Sequence, residues 1–404
     1  MPTLLQIDSC LNMLSTGRIT ESIGKLAIER GWDVYIVHGA RAVSKPSCMK
    51  SIQSDKVWQE YLHYAESFLF DRHGLASRFT TKRVIEQIKQ IQPDIIQLHC
   101  IHGYYMNYKL LFEYLNTTQI PIVWTFHDCW AFTGHCAYFD RVHCEKWKFG
   151  CRDCPLSKAY PKSLIDRSRY NYNIKKVLFT SNRYLHLVTV SHWLEVLTRK
   201  SFFADNDIRT IYNGVDIEVF HPLKNDILKL NFGNNKKVLL AVASSWNQRK
   251  GFDDYIRLAR LLPNDIVIVL VGLPDYLISR LPNNVIGKKK TNSVDELVGY
   301  YSMADIVLNL SYEETFGLTT VEGFACGTPG VVYNATASPE LITKETGIVV
   351  EPGNIEGVAE AIQEILRNGK NYYSNACRKR AEEYYDKDNK FAEYVDLYES
   401  LTKK

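Results

Sequence analysis

The chain contains 404 residues, of which 46% are hydrophobic and 23% are charged, and its formal net charge is +4. This length and composition predict two or three domains with substantial hydrophobic cores, and the small net charge excludes a surface dedicated throughout to nucleic acid. The first residues lack a secretory signal and no apolar run reaches about 18 residues, so we expect a cytoplasmic protein with reduced cysteines and no membrane-spanning helix.

The amino-terminal half of the sequence alternates short apolar segments with amphipathic ones. Strands are predicted at residues 4–7, 34–37, 95–98, 122–126 and 185–190. Helices are predicted at residues 18–30, 78–91 and 165–179, and residues 44–73 are expected to be less regular. Such alternation is typical of a parallel, doubly wound sheet.

A second series of strands and helices begins near residue 237. It follows the segment I-Y-N-G-V-D-I-E-V-F-H-P, in which Asn213-Gly214 is a turn signal and the residue before Pro222 disfavours helix. Strands are predicted at 238–242, 266–271 and 306–310, and helices from 252, at 294–302 and at 388–401. We therefore expect two α/β domains joined at this segment.

The most informative stretch runs from residue 304 to residue 332. An apolar strand is followed by a polar loop at 311–316, and Gly317 begins a helix that ends at Gly327. In open α/β sheets, ligands bind beyond the carboxyl ends of the strands, beside the amino termini of helices. This loop is therefore the expected ligand site.

The loop and the helix start offer two kinds of group to a ligand. Backbone amides at Gly317, Leu318 and Thr319 favour an anion such as a phosphate. Glu314 and Glu322 would repel a diphosphate, so they are expected to bind hydroxyl groups instead. Together these groups predict a nucleotide-sugar site; the alternative is an ordinary helix start with two surface acids.

The segment S-Y-E-E-T-F-G-L-T-T-V-E-G-F-A-C-G-T-P-G-V-V resembles the E-x7-E signature of the family 4 retaining glycosyltransferases. The resemblance implies an α/β GT-B fold, in which two Rossmann-like doubly wound domains face each other across a cleft. The first domain would comprise residues 1–212, with a final helix at 388–404 packing back onto it. The second, donor-binding domain would comprise residues 213–387.

The same resemblance assigns roles to residues of this loop. It implies that Glu314 contacts the hydroxyls of the donor sugar, that Glu322 contacts the ribose, and that Phe316 belongs to the donor site with the three amides. The chain departs from the family at Thr315, where relatives usually have glycine. This departure puts the shape of the donor-sugar pocket in question.

Expulsion of a nucleoside diphosphate requires positive charge beside the leaving group. The segment S-S-W-N-Q-R-K-G, at 244–251, places Arg249 and Lys250 at the start of a predicted helix. A Lys-Gly pair in the resembled family reaches the diphosphate, which implies this role for Lys250. Relatives often have arginine where this chain has Ser244, and Arg249 is the candidate to replace it. The alternative is two solvated cations at a helix start.

The predicted strand at 122–126 delivers His127 and Asp128 to its carboxyl end. A histidine in this place can donate to a sugar oxygen or a phosphate, and the resemblance implies contact with the donor sugar. Asp128 is expected to orient His127 or to help define the pocket. The alternative is a structural histidine beneath the following insertion.

The first loop, L-N-M-L-S-T-G-R-I-T, resembles the glycine-rich loop of the family in part. Gly17, expected just before a helix, would let backbone amides approach a phosphate or an acceptor, and Arg18 would reach an acceptor phosphate. A plain strand-to-helix turn with a solvated arginine is the alternative.

An insertion at residues 129–155 begins with Cys129 and contains four further, closely spaced cysteines, namely Cys136, Cys144, Cys151 and Cys154. Their C-x7-C-x6-C-x2-C spacing favours a structural, tetrahedral zinc site, with His135 and His143 as alternative ligands. Reduced or redox-labile thiols and disulfides are the other interpretations. No cofactor is expected for catalysis.

We therefore predict a retaining glycosyltransferase that moves a sugar from a nucleotide-diphosphate sugar to a saccharide or lipid-diphosphate-linked acceptor. The cysteine insertion resembles a bacterial surface-polysaccharide branch of the family. The alternative enzyme is a sugar-nucleotide epimerase on the same fold, and a zinc-ribbon nucleic-acid binder is a further alternative.

Positive charge is concentrated between residues 141 and 200, where 13 Lys and Arg stand against 4 Asp and Glu. Our hypothesis is that part of this region binds a lipid-diphosphate acceptor or rests on the anionic inner face of a membrane. A scattered, solvated face is the alternative.

Overall fold

Two parallel sheets organise the chain, one of seven strands and one of six. The structure, a computed structural model, describes residues 1–43, 46–223 and 236–403. Two compact units divide the chain: Met1–Ile211 with Phe391–Lys404, and Tyr212–Lys390. No described helix is both long and apolar enough to cross a bilayer.

The first unit is built on the seven-stranded sheet. Its strands, with those of a small two-stranded ribbon, are β1 (Thr3–Ile7), β2 (Cys10–Leu11), β3 (Asp33–His38), β4 (Ala42–Val43), β5 (Lys50–Gln53), β6 (Ile95–Leu98), β7 (Ile122–Phe126), β8 (Leu185–Thr189) and β9 (Asp207–Thr210). Its helices are α1 (Leu14–Glu29), α2 (Val57–Phe70), α3 (Arg78–Ile91), α4 (Tyr108–Leu115), α5 (Ser168–Thr180) and α6 (His192–Arg199). The strand order is β5-β3-β1-β6-β7-β8-β9.

The second unit is built on the six-stranded sheet. Its strands are β10 (Lys237–Val242), β11 (Ile266–Val271), β12 (Val285–Lys288), β13 (Ile306–Asn309), β14 (Gly330–Tyr333) and β15 (Gly347–Val350). Its helices are α7 (Phe252–Leu261), α8 (Asp275–Ile278), α9 (Val294–Met303), α10 (Leu318–Ala325), α11 (Ile355–Asn368) and α12 (Lys370–Tyr385). The order β12-β11-β10-β13-β14-β15 is the one known from Rossmann-type sheets.

The last helix, α13 (Lys387–Thr402), contributes apolar side chains to the core of the first unit. Tyr394 and Tyr398 are buried there, and the Tyr398 hydroxyl donates to Gln97 Oε1 at 2.8 Å. Trp32 packs edge-on against Tyr398, with ring centroids 6.0 Å apart. The helix therefore completes the core beneath β1 and β6.

Two sequence-based expectations for the first unit are wrong. The sequence predicts a less regular region at residues 44–73, but strand β5 and helix α2 lie within it, while residues 44 and 45 are outside the described part. Helix α1 begins at Leu14 instead of residue 18. Gly17 therefore lies within the first turn of α1 and does not precede it.

Candidate functional site

The site in the second unit is set by the order of its strands. β10 and β13 are parallel neighbours at the centre of the sheet, and the strand numbering proceeds outward from them in both directions. Such a switch point opens a crevice beyond the carboxyl ends of the two strands, where α/β folds bind ligands. The segments that follow these strands are residues 243–251 and 310–317.

These two segments are joined through their backbones. Arg249 O accepts a hydrogen bond from Tyr312 N at 2.9 Å, and Arg249 Nη1 donates to Glu313 O at 2.9 Å. Gly251 has φ +68, and a Cβ there would lie 2.0 Å from Leu310 O. Glycine is therefore required where one segment crosses the other. Arg249 helps to hold the crossing, and its role as a substitute for the family arginine stays a prediction.

Lys250 and Glu314 form an ion pair between the two segments, through Nζ and Oε2. Each side chain is 17% exposed, so the pair is mostly buried but remains in contact with solvent. The backbone of Glu314 is fixed at both ends: its N–H donates to Thr336 Oγ1 at 2.8 Å, and its carbonyl accepts from Ala337 N at 3.1 Å. Both predicted residues thus lie together at the switch point.

Helix α10 begins beside this pair. Gly317 precedes it with φ +105, and no side chain caps the helix start. Leu318 and Thr319 are half-buried there. Phe316 is 2% exposed, and its ring packs against those of Tyr212 and Tyr385, with centroids 5.9 and 5.7 Å away. The Phe316 side chain is thus part of the core, which leaves its backbone as the part able to face a ligand.

Glu322 is held one turn further along α10. The hydroxyl of Tyr301, on α9, donates to Glu322 Oε2 at 2.6 Å. Burial, together with the nearby charge of Glu322, raises the pKa of Tyr301 well above its usual range. Tyr301 therefore remains a donor and fixes one carboxylate oxygen of Glu322.

Sequence reasoning missed Asp254, a residue of helix α7 that is hydrogen-bonded to the loop at residues 310–317. It is 5% exposed, and its Oδ2 accepts from the hydroxyls of Tyr312 at 2.7 Å and Tyr333 at 2.8 Å. No local pattern links these residues, because the contacts depend on how α7, the loop and β14 pack.

The first unit has its own switch point, between β1 and β6. Asp8 follows β1 and is buried, with hydrogen bonds from Ser9 N at 2.7 Å and Thr20 Oγ1 at 3.1 Å. Burial raises the pKa of Asp8 to about 6.

A Cβ on Gly17 would lie 3.1 Å from Cys10 Cβ, so this glycine permits close packing of α1 on the loop. Its proposed contact with a phosphate stays a prediction.

His127 follows β7, as predicted, and is half-buried. Its Nε2 is hydrogen-bonded to His99 Nδ1 at 3.0 Å, and the two rings are stacked. Burial lowers the pKa of His127 to about 4 and that of His99 well below its usual range. Both rings are therefore neutral near pH 7.

Asp128, directly after His127, is joined to a different histidine. Asp128 Oδ2 is hydrogen-bonded to His102 Nε2 at 2.9 Å, and Oδ1 accepts from Trp130 N at 2.8 Å. His102 in turn stacks on Trp130. Asp128 thus pairs with His102, and His99 is hydrogen-bonded to His127. The expected part of Asp128 in orienting His127 or defining the pocket stays a prediction. The signal available in the sequence was the H-C-I-H segment at 99–102, directly after a predicted strand.

The four candidate zinc ligands, Cys136, Cys144, Cys151 and Cys154, line one small cavity, with His135 and Trp147 among its other lining residues. All ten cysteines are free, so the structure contains no disulfide in the insertion. Cys151 Sγ accepts from Gly134 N at 3.2 Å, and a hydrogen bond from Cys136 lowers the pKa of Cys154 to about 7. Over the described residues, no group of three or more His, Cys, Asp or Glu side chains is arranged to hold a metal.

Comparison with known families gives a match over both units. Residues 224–384 match the family described as glycosyl transferases group 1. Residues 16–219, just over half of the chain, match the family described as glycosyltransferase family 4. The chain belongs to glycosyltransferase family 4. It is therefore a glycosyltransferase, and the resemblance drawn from residues 311–332 is confirmed.

Individual relatives agree with this assignment. The chain is 25% identical over 322 residues to the putative colanic acid biosynthesis glycosyl transferase WcaC of Escherichia coli K12, covering 76% of this chain and 77% of WcaC. Sucrose-phosphate synthase from Thermosynechococcus elongatus matches with a TM-score of 0.74 at 18% identity, covering 99% of both chains. HepE from Anabaena, solved in complex with UDP-glucose, matches with a TM-score of 0.66 at 17% identity, covering 98% and 99%. The expected GT-B fold with two Rossmann-like domains is confirmed.

Proposed function

We propose that this glycosyltransferase moves a sugar, with retention of configuration, from a nucleotide-diphosphate sugar to a saccharide or lipid-linked acceptor. The observation that carries the proposal is the Lys250–Glu314 pair beside the uncapped start of α10, at the switch point of the second unit. A cation and helix amides suit a diphosphate, and a carboxylate suits sugar hydroxyls.

The ion pair gives Lys250 and Glu314 complementary roles. Without a donor, each neutralises the charge of the other in a half-buried position. A bound donor would offer phosphate oxygens to Lys250 and hydroxyl groups to Glu314. The ion pair between the two side chains would then be replaced by one contact with the donor for each of them. Lys250 would then stabilise the charge that develops on the leaving diphosphate. Glu314 would hold the sugar and would not act as a nucleophile.

The nucleotide end of the donor would lie along α10. The amides of Leu318 and Thr319 would face phosphate oxygens, and Glu322, with one oxygen fixed by Tyr301, would accept from ribose hydroxyls. The complex of HepE with UDP-glucose supports a nucleotide sugar as the class of donor.

His127 would act as a neutral hydrogen-bond donor to the sugar or phosphate. His99 Nε2 is buried and has no partner among the described residues. A buried lone pair without a partner is more common in proteins than a buried N–H without one, so we assign the proton of His99 to Nδ1. His99 then donates to His127 Nε2, which leaves the His127 proton on Nδ1.

Attack on the same face from which the diphosphate departs, with a donor phosphate oxygen taking the acceptor proton, is the mechanism that the family resemblance implies. The relation to WcaC, which is named for colanic acid biosynthesis, supports a place in bacterial polysaccharide synthesis. The matched families give no support to the epimerase alternative.

The test is an assay with UDP-, GDP- and dTDP-sugars, with and without saccharide or lipid-linked acceptors. We expect release of one nucleoside diphosphate to depend on acceptor, and NMR to show the donor's anomeric configuration in the product. Release without any acceptor-dependent product would favour an epimerase, and an inverted anomer would overturn the retaining mechanism.

We also propose that the insertion holds one structural zinc ion through Cys136, Cys144, Cys151 and Cys154. Their shared cavity supports this, as does the N–H of Gly134, which donates to Cys151 Sγ and could remain the partner of a metal-bound thiolate. The thiols would have to move together, because they are not arranged around a metal as they stand. Four thiolates would leave zinc no open position for catalysis.

Elemental analysis of protein purified without a metal-affinity resin tests the zinc proposal. We expect about one zinc per chain, lost in the double variant Cys151→Ser, Cys154→Ser and kept in Cys48→Ser, a change at an exposed cysteine outside the cavity. Cobalt substitution of the wild type should give thiolate charge-transfer absorption. Metal-free protein in which Cys136, Cys144, Cys151 and Cys154 are all titratable thiols would overturn the proposal.

A further inference from the structure

Helix α5 buries a lysine that has no acidic partner. Lys175 is 2% exposed, and its ammonium group donates to Trp130 O at 2.7 Å and to Thr133 O at 3.1 Å. Its Nζ also lies 3.3 Å from the centroid of the Trp130 ring. Among the described residues, Lys175 forms no ion pair with a carboxylate. Buried charges in proteins are normally paired, so this ammonium group lacks the partner that would compensate its charge.

Two carboxylates act on Lys175 through their charge, but both are bonded to other residues. Asp71 and Asp128 are each hydrogen-bonded to a histidine. Burial lowers the pKa of Lys175 to about 7, and the charge of Cys151 opposes this decrease more than either carboxylate does. The cavity lined by the candidate zinc ligands is therefore the place to look for the missing partner.

One peptide group connects Lys175 with that cavity. Thr133 O accepts from Lys175 Nζ at 3.1 Å, and the N–H of Gly134, in the same peptide group, donates to Cys151 Sγ at 3.2 Å. A Cβ on Gly134 would lie 2.0 Å from Ser168 O, so glycine lets this peptide group lie against the start of α5. A cation at the peptide oxygen polarises the group, which makes its N–H a stronger donor to a negatively charged sulfur.

A zinc ion bound by four thiolates in this cavity would need a nearby cation. Cys136 and Cys151 are 6% and 9% exposed, so the site would be largely removed from water. Zinc neutralises only half of the charge of four thiolates, and a buried net charge is unfavourable unless it is compensated. Lys146 and Arg152 also line the cavity, but both are exposed and screened by solvent. Lys175 is the buried cation.

We propose that Lys175 supplies the positive charge that compensates a zinc site formed by the four candidate cysteines. This role rests on the proposed zinc site and adds to it a residue from outside the insertion. Bound zinc thiolates would hold the Lys175 side chain in its ammonium form, and the ammonium group would favour thiolates over thiols at the cysteines. The insertion and helix α5 would thus be joined by charge as well as by packing.

Zinc affinity of the full chain, measured by competition with a chromophoric chelator, tests this role. We expect Lys175→Met and Lys175→Gln to bind zinc about 10–100-fold more weakly than the wild type, as is usual when a group that supports metal ligands is lost. Lys176→Met, the same change at the exposed neighbour on the same helix, should bind as the wild type does. Glutamine can still donate to the carbonyls of Trp130 and Thr133, so a loss in Lys175→Gln separates charge from hydrogen bonding.

Cobalt-loaded protein provides a measurement that packing alone would not change. Removal of a nearby cation makes thiolate electrons easier to transfer, so the thiolate-to-cobalt band should move to longer wavelength in the Lys175 variants and not in Lys176→Met. Circular dichroism checks that each variant is folded, and Lys175→Gln carries the comparison should Lys175→Met not fold.

The outcomes distinguish this role from the zinc site itself. Zinc binding by the wild type, with equal affinity and an unshifted cobalt band in Lys175→Gln, would overturn the role of Lys175 and leave the zinc site standing. Wild-type protein that binds no zinc would overturn both.

Discussion

At the scale of single residues, Lys250 is the cation whose removal should affect the chemical step. We predict that Lys250→Ala lowers kcat/KM by about 10²–10³-fold, because a charge-stabilising group is lost and Glu314 keeps an uncompensated charge. Nucleoside diphosphate release measures this. Lys289→Ala, which removes an exposed partner of Asp275, should leave the rate unchanged. A wild-type rate in Lys250→Ala would contradict the role assigned to it.

Tyr301 is a second residue to substitute, because its effect on donor binding can be separated from an effect on the chemical step. Tyr301→Phe removes the hydroxyl that fixes Glu322 but keeps the carboxylate and the ring packing. We predict that KM for the donor rises about 10-fold, since a hydrogen bond to a charged group is worth about 1.5 kcal/mol, while kcat changes little. Tyr276→Phe, at an exposed tyrosine, is the control. A fall in kcat at constant KM would argue against ribose binding by Glu322.

At the scale of elements, the crossing of residues 243–251 and 310–317 depends on Gly251. A Cβ there would lie 2.0 Å from Leu310 O, and its φ is +68. Gly31, directly after the end of α1, has φ +85, but a Cβ there would meet nothing within 4 Å, so this glycine isolates the backbone cost. We predict that Gly251→Ala lowers the unfolding free energy by about 1–3 kcal/mol more than Gly31→Ala does. Urea unfolding of both variants measures this, and equal losses would show that the crossing is not tight.

The elements also show how far sequence reasoning reaches. Strands of a parallel sheet are buried on both faces, so β1, β6, β7, β11 and β13 are visible as apolar runs. Helix α2 was missed because its apolar residues face solvent while Glu60 and His63 face the core. The polar side of the helix therefore meets the core, which is the reverse of the pattern by which helices are placed in a sequence.

The candidate site also has parts that could be predicted from the sequence and parts that could not. Glu314 and Glu322 could be predicted, because loop and helix follow one strand in a continuous segment. The pairing of His99 with His127 could not, since it joins residues 28 positions apart through the register of β6 and β7. The bond between Lys250 and Glu314 likewise depends on β10 and β13 being neighbours.

At the scale of the whole molecule, the histidines predict unequal responses of the two units to acid. Ten of the eleven histidines belong to the first unit, and His221 alone belongs to the second. Burial lowers the pKa of His63 to about 3 and that of His127 to about 4, and it lowers those of His73 and His99 well below their usual range.

Between pH 6.5 and 4 the unfolded chain therefore binds protons at these four sites that the folded unit does not, and stability falls as pH falls. Asp8 and Asp55, whose pKa values burial raises to about 6 and about 7, act in the opposite direction but are only two. We predict that hydrogen exchange, corrected for its intrinsic pH dependence, shows a greater loss of protection in the first unit at pH 5 than at pH 7.5. Equal losses in both units would contradict this.

The central claim is that the second unit binds a nucleotide sugar through residues at the start of α10. Isothermal titration of the wild type with UDP-, GDP- and dTDP-sugars, alongside Glu322→Gln and the exposed-site control Glu360→Gln, tests it most directly. We predict that one nucleotide class binds, that Glu322→Gln weakens its binding about 10-fold through the lost charge-assisted bonds, and that Glu360→Gln does not. No binding of any donor by the wild type, or equal affinity in both variants, would contradict the account.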